Sequence, residues 1–364
     1  MKVQVVIGAN YGDEGKGLVS GCLSREASLF NEKVLTVFYN GTCQRAHTFE
    51  GEIHRCMAAG TKYGSDTFYH EQFVVDPISL FITQSEPIID PNCRMILPCD
   101  VIQNRRIEKS RGNERHGSCG FGLFEAVKRS KNPEYDIRIG DFLEPSFETV
   151  KKIHAIQKEY GDFDDEVYND VYLMHARSYI QKKCRIRKFS QILNEGNYDR
   201  VIFEGGQGLM LDQKNKEDFP HLTPSSPGSY YISKDIDRIG NQESTELFYV
   251  SRSYMTRHGA GPIEHECDRN DINPDIVDTT NLENDFQGAL RFGKLNAKSL
   301  LDRVKKDASM YKTVKPKINM VFTQINYTKG KLMTANGLSD IFMPDFANCV
   351  YASDQKDHME KYLF

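Results

Sequence analysis

The chain has 364 residues, with 47 Lys+Arg against 51 Asp+Glu and a formal net charge of −4 at pH 7. That balance excludes a protein drawn to nucleic acid or to an anionic membrane by overall charge. No window approaches the roughly 18 consecutive apolar residues of a membrane span, so the expected setting is the cytoplasm and the expected partners are small molecules and proteins.

The first element in chain order is Lys2 to Ile7, a β-branched apolar run that reads as a buried strand. A glycine-dense segment follows, and then LVSGCLSREASLF, whose Leu18, Cys22 and Leu29 recur at roughly helical spacing. Val34 to Tyr39 predicts a second strand, Arg200 to Phe203 a third and Ile318 to Phe322 a fourth. Short continuous apolar strands separated by helical stretches predict an α/β fold, with a P-loop-like, mainly parallel central sheet flanked by helices. Pro145 to Leu193, rich in Lys, Glu and Tyr, predicts an accessory helical layer. The proline segments near Pro133 and Pro224 to Pro227 are too brief to separate domains, so residues 1–364 are expected to form one. Nine cysteines without a CxxC pair read as reduced and mostly buried. No HExxH or HxxxH pair offers a zinc site, and a metal is expected to arrive with a phosphate.

The segment Gly8 to Gly17, GANYGDEGKG, lies between a predicted strand and a predicted helix. Backbone N–H groups and a helix N-terminus cradle phosphate in that setting. Lys16 stands where a P-loop lysine reaches the outer phosphates, but the GxxxxGK[ST] pattern fails at both ends, with Asn10 for the first glycine and Gly17 for the hydroxyl residue. An ordinary P-loop ATPase is therefore disfavoured. Asp13 instead places a carboxylate in the loop, able to hold Mg²⁺ or accept a proton beside a transferring phosphate. The alternative is a tight turn with solvated charges.

GDEGKG after the first strand, AHT after the second, then FEGGQG and TRHGAGP, occur in an order that resembles the adenylosuccinate synthetase family. The likeness runs from Gly12 to Gly261 and is nearest to the compact archaeal and viral forms, including viral enzymes that make a 2-aminoadenine precursor. It implies a ligase in which a nucleoside triphosphate phosphorylates the 6-oxygen of a purine nucleoside monophosphate and the amine of L-aspartate displaces that phosphate, with Mg²⁺ as cofactor and a homodimer as the working form. By the same resemblance Asp13 is the base and a magnesium ligand, His47 the acid and oxyanion stabiliser, Lys16 the phosphate clamp, and Gln207 a hydrogen-bond donor to O6.

The family usually reads NAGHT, so here Gln44 stands for Asn, Arg45 for Ala and Ala46 for Gly. The Ala46 carbonyl is the second candidate ligand for Mg²⁺. Gly12, Glu14, Gly15, Lys16, Gly17 and Thr48 are the expected contacts of the donor nucleotide. Asp13, Gln44, Arg45, Ala46, His47 and Gln207 are expected around the acceptor, whose phosphate would meet Ser118, Cys119 and Thr223. Arg129 corresponds either to an arginine offered across the dimer interface or to a solvated helix charge. In the expected aspartate loop, DTTNLENDFQGALRFG, the candidates are Thr279, Thr280 and Arg291, since a guanidinium offers a carboxylate two parallel donors.

Relatives that use GTP carry TKLD after a late strand, whereas this chain has Thr323-Gln324-Ile325-Asn326. Asn presents one acceptor and one donor, which complements adenine rather than guanine. Gln324 and Asn326 therefore predict ATP or dATP as donor. An adenine donor in a short chain resembles the viral branch, which implies dGMP as acceptor and N6-succino-2-amino-2′-deoxyadenylate as product, while the retained Asp13 keeps IMP, with GTP or ATP, as the alternative. A nucleotide-dependent switch would explain GDEGKG but leaves EGGQG and TRHGAGP without a role, and a kinase would yield a stable phosphorylated product without aspartate.

Overall fold

The computed structural model describes residues 1–161, 165–239, 245–278, 286–354 and 357–364. Among these residues ten strands form one sheet. In chain order they are β1 (Lys2–Gly8), β2 (Val34–Phe38), β3 (Asp66–Tyr69), β4 (Ile88–Ile89), β5 (Arg185–Ile186), β6 (Arg200–Gly208), β7 (Thr245–Arg252), β8 (Lys317–Thr323), β9 (Cys349–Ala352) and β10 (Glu360–Lys361). Their spatial order is β10-β9-β8-β7-β1-β6-β2-β3-β4-β5. Every neighbouring pair is parallel except β9 with β10. The expected α/β architecture is therefore present, and the four predicted strands occupy β1, β2, β6 and β8.

Both faces of the sheet are covered. Val3, Val5 and Ile7 of β1 enter one apolar cluster and Val6 the opposite one. This is why β1 reads as a continuous apolar run rather than an alternating one. The strand order reverses at β1, which has β6 on one side and β7 on the other, and the ends of strands at such a point open a crevice.

Helix α1 (Lys16–Leu29) leaves the β1 loop through Gly15, which has φ 102° and gives the first turn no side-chain cap. Two of its glycines let it lie on the hairpin His47–Phe49/Glu52–His54. A Cβ at Gly17 would fall 2.5 Å from Cβ of His47, and one at Gly21 would fall on the Phe49 ring. The glycine after Lys16 is therefore required by the approach of His47. The accessory layer is helical as expected. Its main helices, α2 (Phe147–Tyr160) and α3 (Asp170–Lys183), are capped by Ser146 and Asn169, whose side chains accept from the amides of Thr149 and Tyr172. No helix among the described residues is long and apolar enough to cross a membrane.

Candidate active site

A cleft open to solvent lies over the C-terminal ends of β1, β7 and β8. Asp13, Gly15, Lys16, Gly17, Ala46, His47, Thr48 and Gln324 line it, together with Arg252, Tyr254, Ile276, Val277, Asp278, Thr323 and Tyr327. Asp13 comes from the β1 loop and His47 from the hairpin after β2, so α1 and the β1–β6–β2 register bring together side chains 34 positions apart.

The β1 loop is held by its own residues. The buried Glu14 carboxylate accepts from the amides of Asn10 at 3.0 Å and Gly12 at 2.8 Å, and pairs with the Lys16 ammonium at 2.7 Å. Glu14 thus turns inward and does not line the cleft. A Cβ at Gly8 would strike this pair, 2.8 Å from Nζ of Lys16. Thr323 Oγ1 donates to the Glu14 carbonyl at 2.6 Å, and Arg303 donates to the Ala9 carbonyl at 2.9 Å and to the Asn10 side chain at 2.6 Å. Asp13 itself is left-handed, φ 61°, and its carbonyl accepts from Arg252 Nε at 2.6 Å.

Behind His47 stands Glu204, the first residue of EGGQG, whose side chain is fully buried. One oxygen, Oε1, lies 2.5 Å from His47 Nδ1 and 2.5 Å from an Arg45 nitrogen, and Oε2 accepts from Ser20 at 2.5 Å. The Arg45 guanidinium also stacks 3.7 Å from the centre of the Phe38 ring. Burial pushes the Glu204 carboxyl upward, but Arg45, His47 and Ser20 outweigh it and hold it at about 2. Burial, followed by the Arg45 charge, holds His47 down at about 4 against the pull of Glu204. The imidazole is therefore neutral at pH 7 and rests on a charged carboxylate. Arg45 supports this arrangement from behind and does not line the cleft.

Gln207, also left-handed at φ 54°, sits beside the β1 loop, its Cα 3.6 Å from where a Cβ of Gly12 would lie. Asn40 holds that turn by donating to the Gly206 carbonyl at 3.0 Å and to Gln207 Oε1 at 3.3 Å. Cys119 Sγ donates to Gln44 Oε1 at 2.5 Å, which ties two predicted acceptor loops together. Burial raises that thiol to about 11. Ser118 donates to Asn104 at 2.8 Å, and the buried Thr223 hydroxyl has no hydrogen-bond partner among the described residues.

Other predicted residues lie elsewhere. Arg129 is neither solvated nor turned outward. It is 4% exposed, it meets both oxygens of Asp100 at 2.9–3.1 Å, and it donates to the carbonyls of Met95 and Tyr135. Its guanidinium is used within the chain. Arg291 grips Glu266 at 2.7 and 2.6 Å and the carbonyls of Gly259 and Gly261 at 3.1 and 2.8 Å, so its fork faces a carboxylate of the protein itself. Asn326 is exposed and lies outside the cleft lining. Thr279 and Thr280 lie outside the described residues.

Among the described residues no group of three His, Cys, Asp or Glu side chains is arranged to hold a metal. Asp13 and Ala46 share the cleft. One carboxylate and one carbonyl suit Mg²⁺, which takes its remaining ligands from phosphates and water.

Residues 5–285, more than half of the chain, match the adenylosuccinate synthetase family. The chain belongs to that family. It is 27% identical over 293 residues to adenylosuccinate synthetase of Staphylococcus epidermidis, covering 72% of this chain and 65% of the relative. It is 28% identical over 288 residues to that of Neisseria meningitidis, covering 72% and 64%. The matched stretch thus spans just under two thirds of those relatives. In fold it is similar to fully ligated adenylosuccinate synthetase from Plasmodium falciparum, with TM-score 0.69, 18% identity, and coverage of 99% of this chain and 88% of that one. It is also similar to the cyanophage S-2L succinoaminodeoxyadenylate synthetase bound to dGMP and dATP, with TM-score 0.61, 16% identity, and coverage of 90% and 85%.

Proposed function

We propose that this member of the adenylosuccinate synthetase family is a purine nucleotide–aspartate ligase: it phosphorylates the 6-oxygen of a purine nucleoside monophosphate and lets the amine of L-aspartate expel the phosphate. The observation that carries this reading is the meeting of Asp13 and a Glu204-backed His47 in one cleft with Lys16 and the start of α1. An amide-like oxygen leaves poorly until it is phosphorylated. Its activation needs a base for the ring N1–H, a polar group at O6 and cations on the transferring phosphate.

Asp13 takes the N1 proton. His47 faces O6 and Gln207 donates to it. The charge of an incoming phosphate opposes Arg45 and so favours the protonated imidazole, which makes proton donation by His47 a property of the loaded site. Lys16 meets the transferring phosphate and exchanges its Glu14 contact for it. Mg²⁺ would be held by the Asp13 carboxylate and the Ala46 carbonyl, and would supply neutralisation of phosphate charge.

IMP is the better supported acceptor, because the sequence relatives named above are adenylosuccinate synthetases and Asp13 is retained. A second reading, dGMP with ATP or dATP, is favoured by the fold likeness to the cyanophage enzyme bound to dGMP and dATP; Asn326, exposed and outside the cleft lining, does not carry it. The working form is proposed to be a homodimer.

The deciding assay supplies IMP or dGMP, with ATP, dATP or GTP, Mg²⁺ and aspartate, and follows the succinylated nucleotide. Phosphate release that does not need aspartate would overturn the ligase reading. Turnover confined to dGMP would overturn the preference for IMP.

A further inference from the structure

Arg252 is the last residue of β7 and lies level with Thr323 of β8, just past the end of β1. Its side chain is 7% exposed, yet it lines the cleft with Asp13 and Asp278. Three donors of one planar group reach three elements. Nε donates to the Asp13 carbonyl at 2.6 Å, one terminal nitrogen meets the Asp278 carboxylate at 3.1 Å, and the other lies 3.4 Å from the Tyr254 hydroxyl. The residue it grips by the backbone has φ 61°, a left-handed conformation that costs a non-glycine residue energy and persists only where the surroundings fix it. Asp278 lines the same cleft, with Ile276 and Val277.

We infer that Arg252 is a positioning residue that sets the direction of the Asp13 carboxylate: it pins the left-handed turn of the phosphate loop through the Asp13 carbonyl and ties that turn to Asp278 of the cleft lining. The inference rests on the ligase reading for its kinetic consequence, but not for the tie itself. The fork matters more than the charge. A lysine at this position keeps the cation but offers a single point donor, which cannot span Asp13 and Asp278 together.

The test compares Arg252→Lys, Arg252→Met and Asp278→Asn with the unaltered enzyme, at equal folded fraction by circular dichroism. Hydrogen exchange by mass spectrometry on peptides covering Ala9 to Gly17 is expected to quicken at least tenfold in both Arg252 variants and less in Asp278→Asn. The rate of aspartate-dependent synthesis is expected to fall about 30- to 100-fold in both, with KM for both nucleotides within threefold, because Arg252 holds backbone rather than substrate. Full rescue by lysine, or unchanged exchange in the loop, would overturn the proposal. Should the Arg252 variants fail to fold, Asp278→Asn carries the same test, with unchanged exchange again overturning it. An unaltered enzyme without aspartate-dependent synthesis would remove the ligase reading alone, since loop exchange still decides whether the tie exists.

Discussion

Arg45 and Arg129 each clasp a buried carboxylate, and the two pairs differ in what else they touch. Arg129 and Asp100 close on each other, with side chains 1% and 0% exposed, and the remaining donors of Arg129 meet backbone carbonyls. Arg45 and Glu204 are nearly as buried, at 5% and 0%, but the same glutamate oxygen also meets His47, which opens onto the cleft. A buried ion pair is weak evidence of net stabilisation, because desolvation offsets much of the attraction, although removing one partner is costly. What separates the two pairs is a third, titratable group with access to the cleft.

The difference is largest in rate. Glu204→Gln removes the charge that supports His47, and synthesis per folded molecule should drop by about 10² to 10³, within the range contributed by a positioned acid or base. Asp100→Asn should leave the rate per folded molecule within about twofold while lowering unfolding free energy in urea by about 3–5 kcal/mol, the usual cost of orphaning a buried charge. Equal loss of rate in the two variants would erase the distinction.

Acid adds a smaller effect of defined sign. The Glu204 carboxyl is held at about 2 in the folded protein, below the ordinary value near 4.3. The stability it contributes is complete above the unfolded value and is lost as pH falls through about 4 toward 2. The loss amounts to about 3 kcal/mol at its limit, since each pKa unit corresponds to about 1.4 kcal/mol. Acid unfolding of Glu204→Gln should therefore run flatter below pH 4.5 than that of the unaltered chain, and an identical slope would mean the carboxylate is not held down by its partners.

The same contrast explains what the sequence discloses. The glycine-dense segment is legible as the turn between β1 and α1, which the helix leaves through φ 102° at Gly15, whereas Gly17 reads only as a departure from the P-loop pattern, and the imidazole that leaves no room for its Cβ is seen only in the fold. The strands at β1, β2, β6 and β8 are legible because burial on both faces forces continuous apolar runs. Glu204 lies inside a motif visible from the start, yet only Gln207 is given a role there. The missed signal is a carboxylate ending the apolar run of β6, a position where burial requires a cationic or hydrogen-bonding partner. Arg252 at the end of β7 is the matching case for a cation. Arg129 shows the opposite difficulty, because spacing along α-helical sequence does not tell whether an arginine meets Asp100, solvent or another subunit. Arg291 is similar: a fork suited to a substrate carboxylate suits Glu266 equally well.

Access to the cleft also predicts where a suggestive residue matters little. Asn326 is the converse of Arg129, exposed instead of buried and outside the cleft lining. Thr323, Gln324 and Tyr327 of the same turn do line the cleft. A side chain that reads a base must reach its edge, and a buried mismatch there is worth about 1–3 kcal/mol, or roughly 5- to 150-fold in preference. From its exposed position Asn326→Asp should therefore change the ratio of kcat/KM for ATP over GTP by less than about threefold, whereas Gln324→Ala should change it by more. A shift of tenfold or greater toward GTP in Asn326→Asp would show that the turn rearranges when nucleotide enters, and that cleft access in this structure is not a necessary criterion for function.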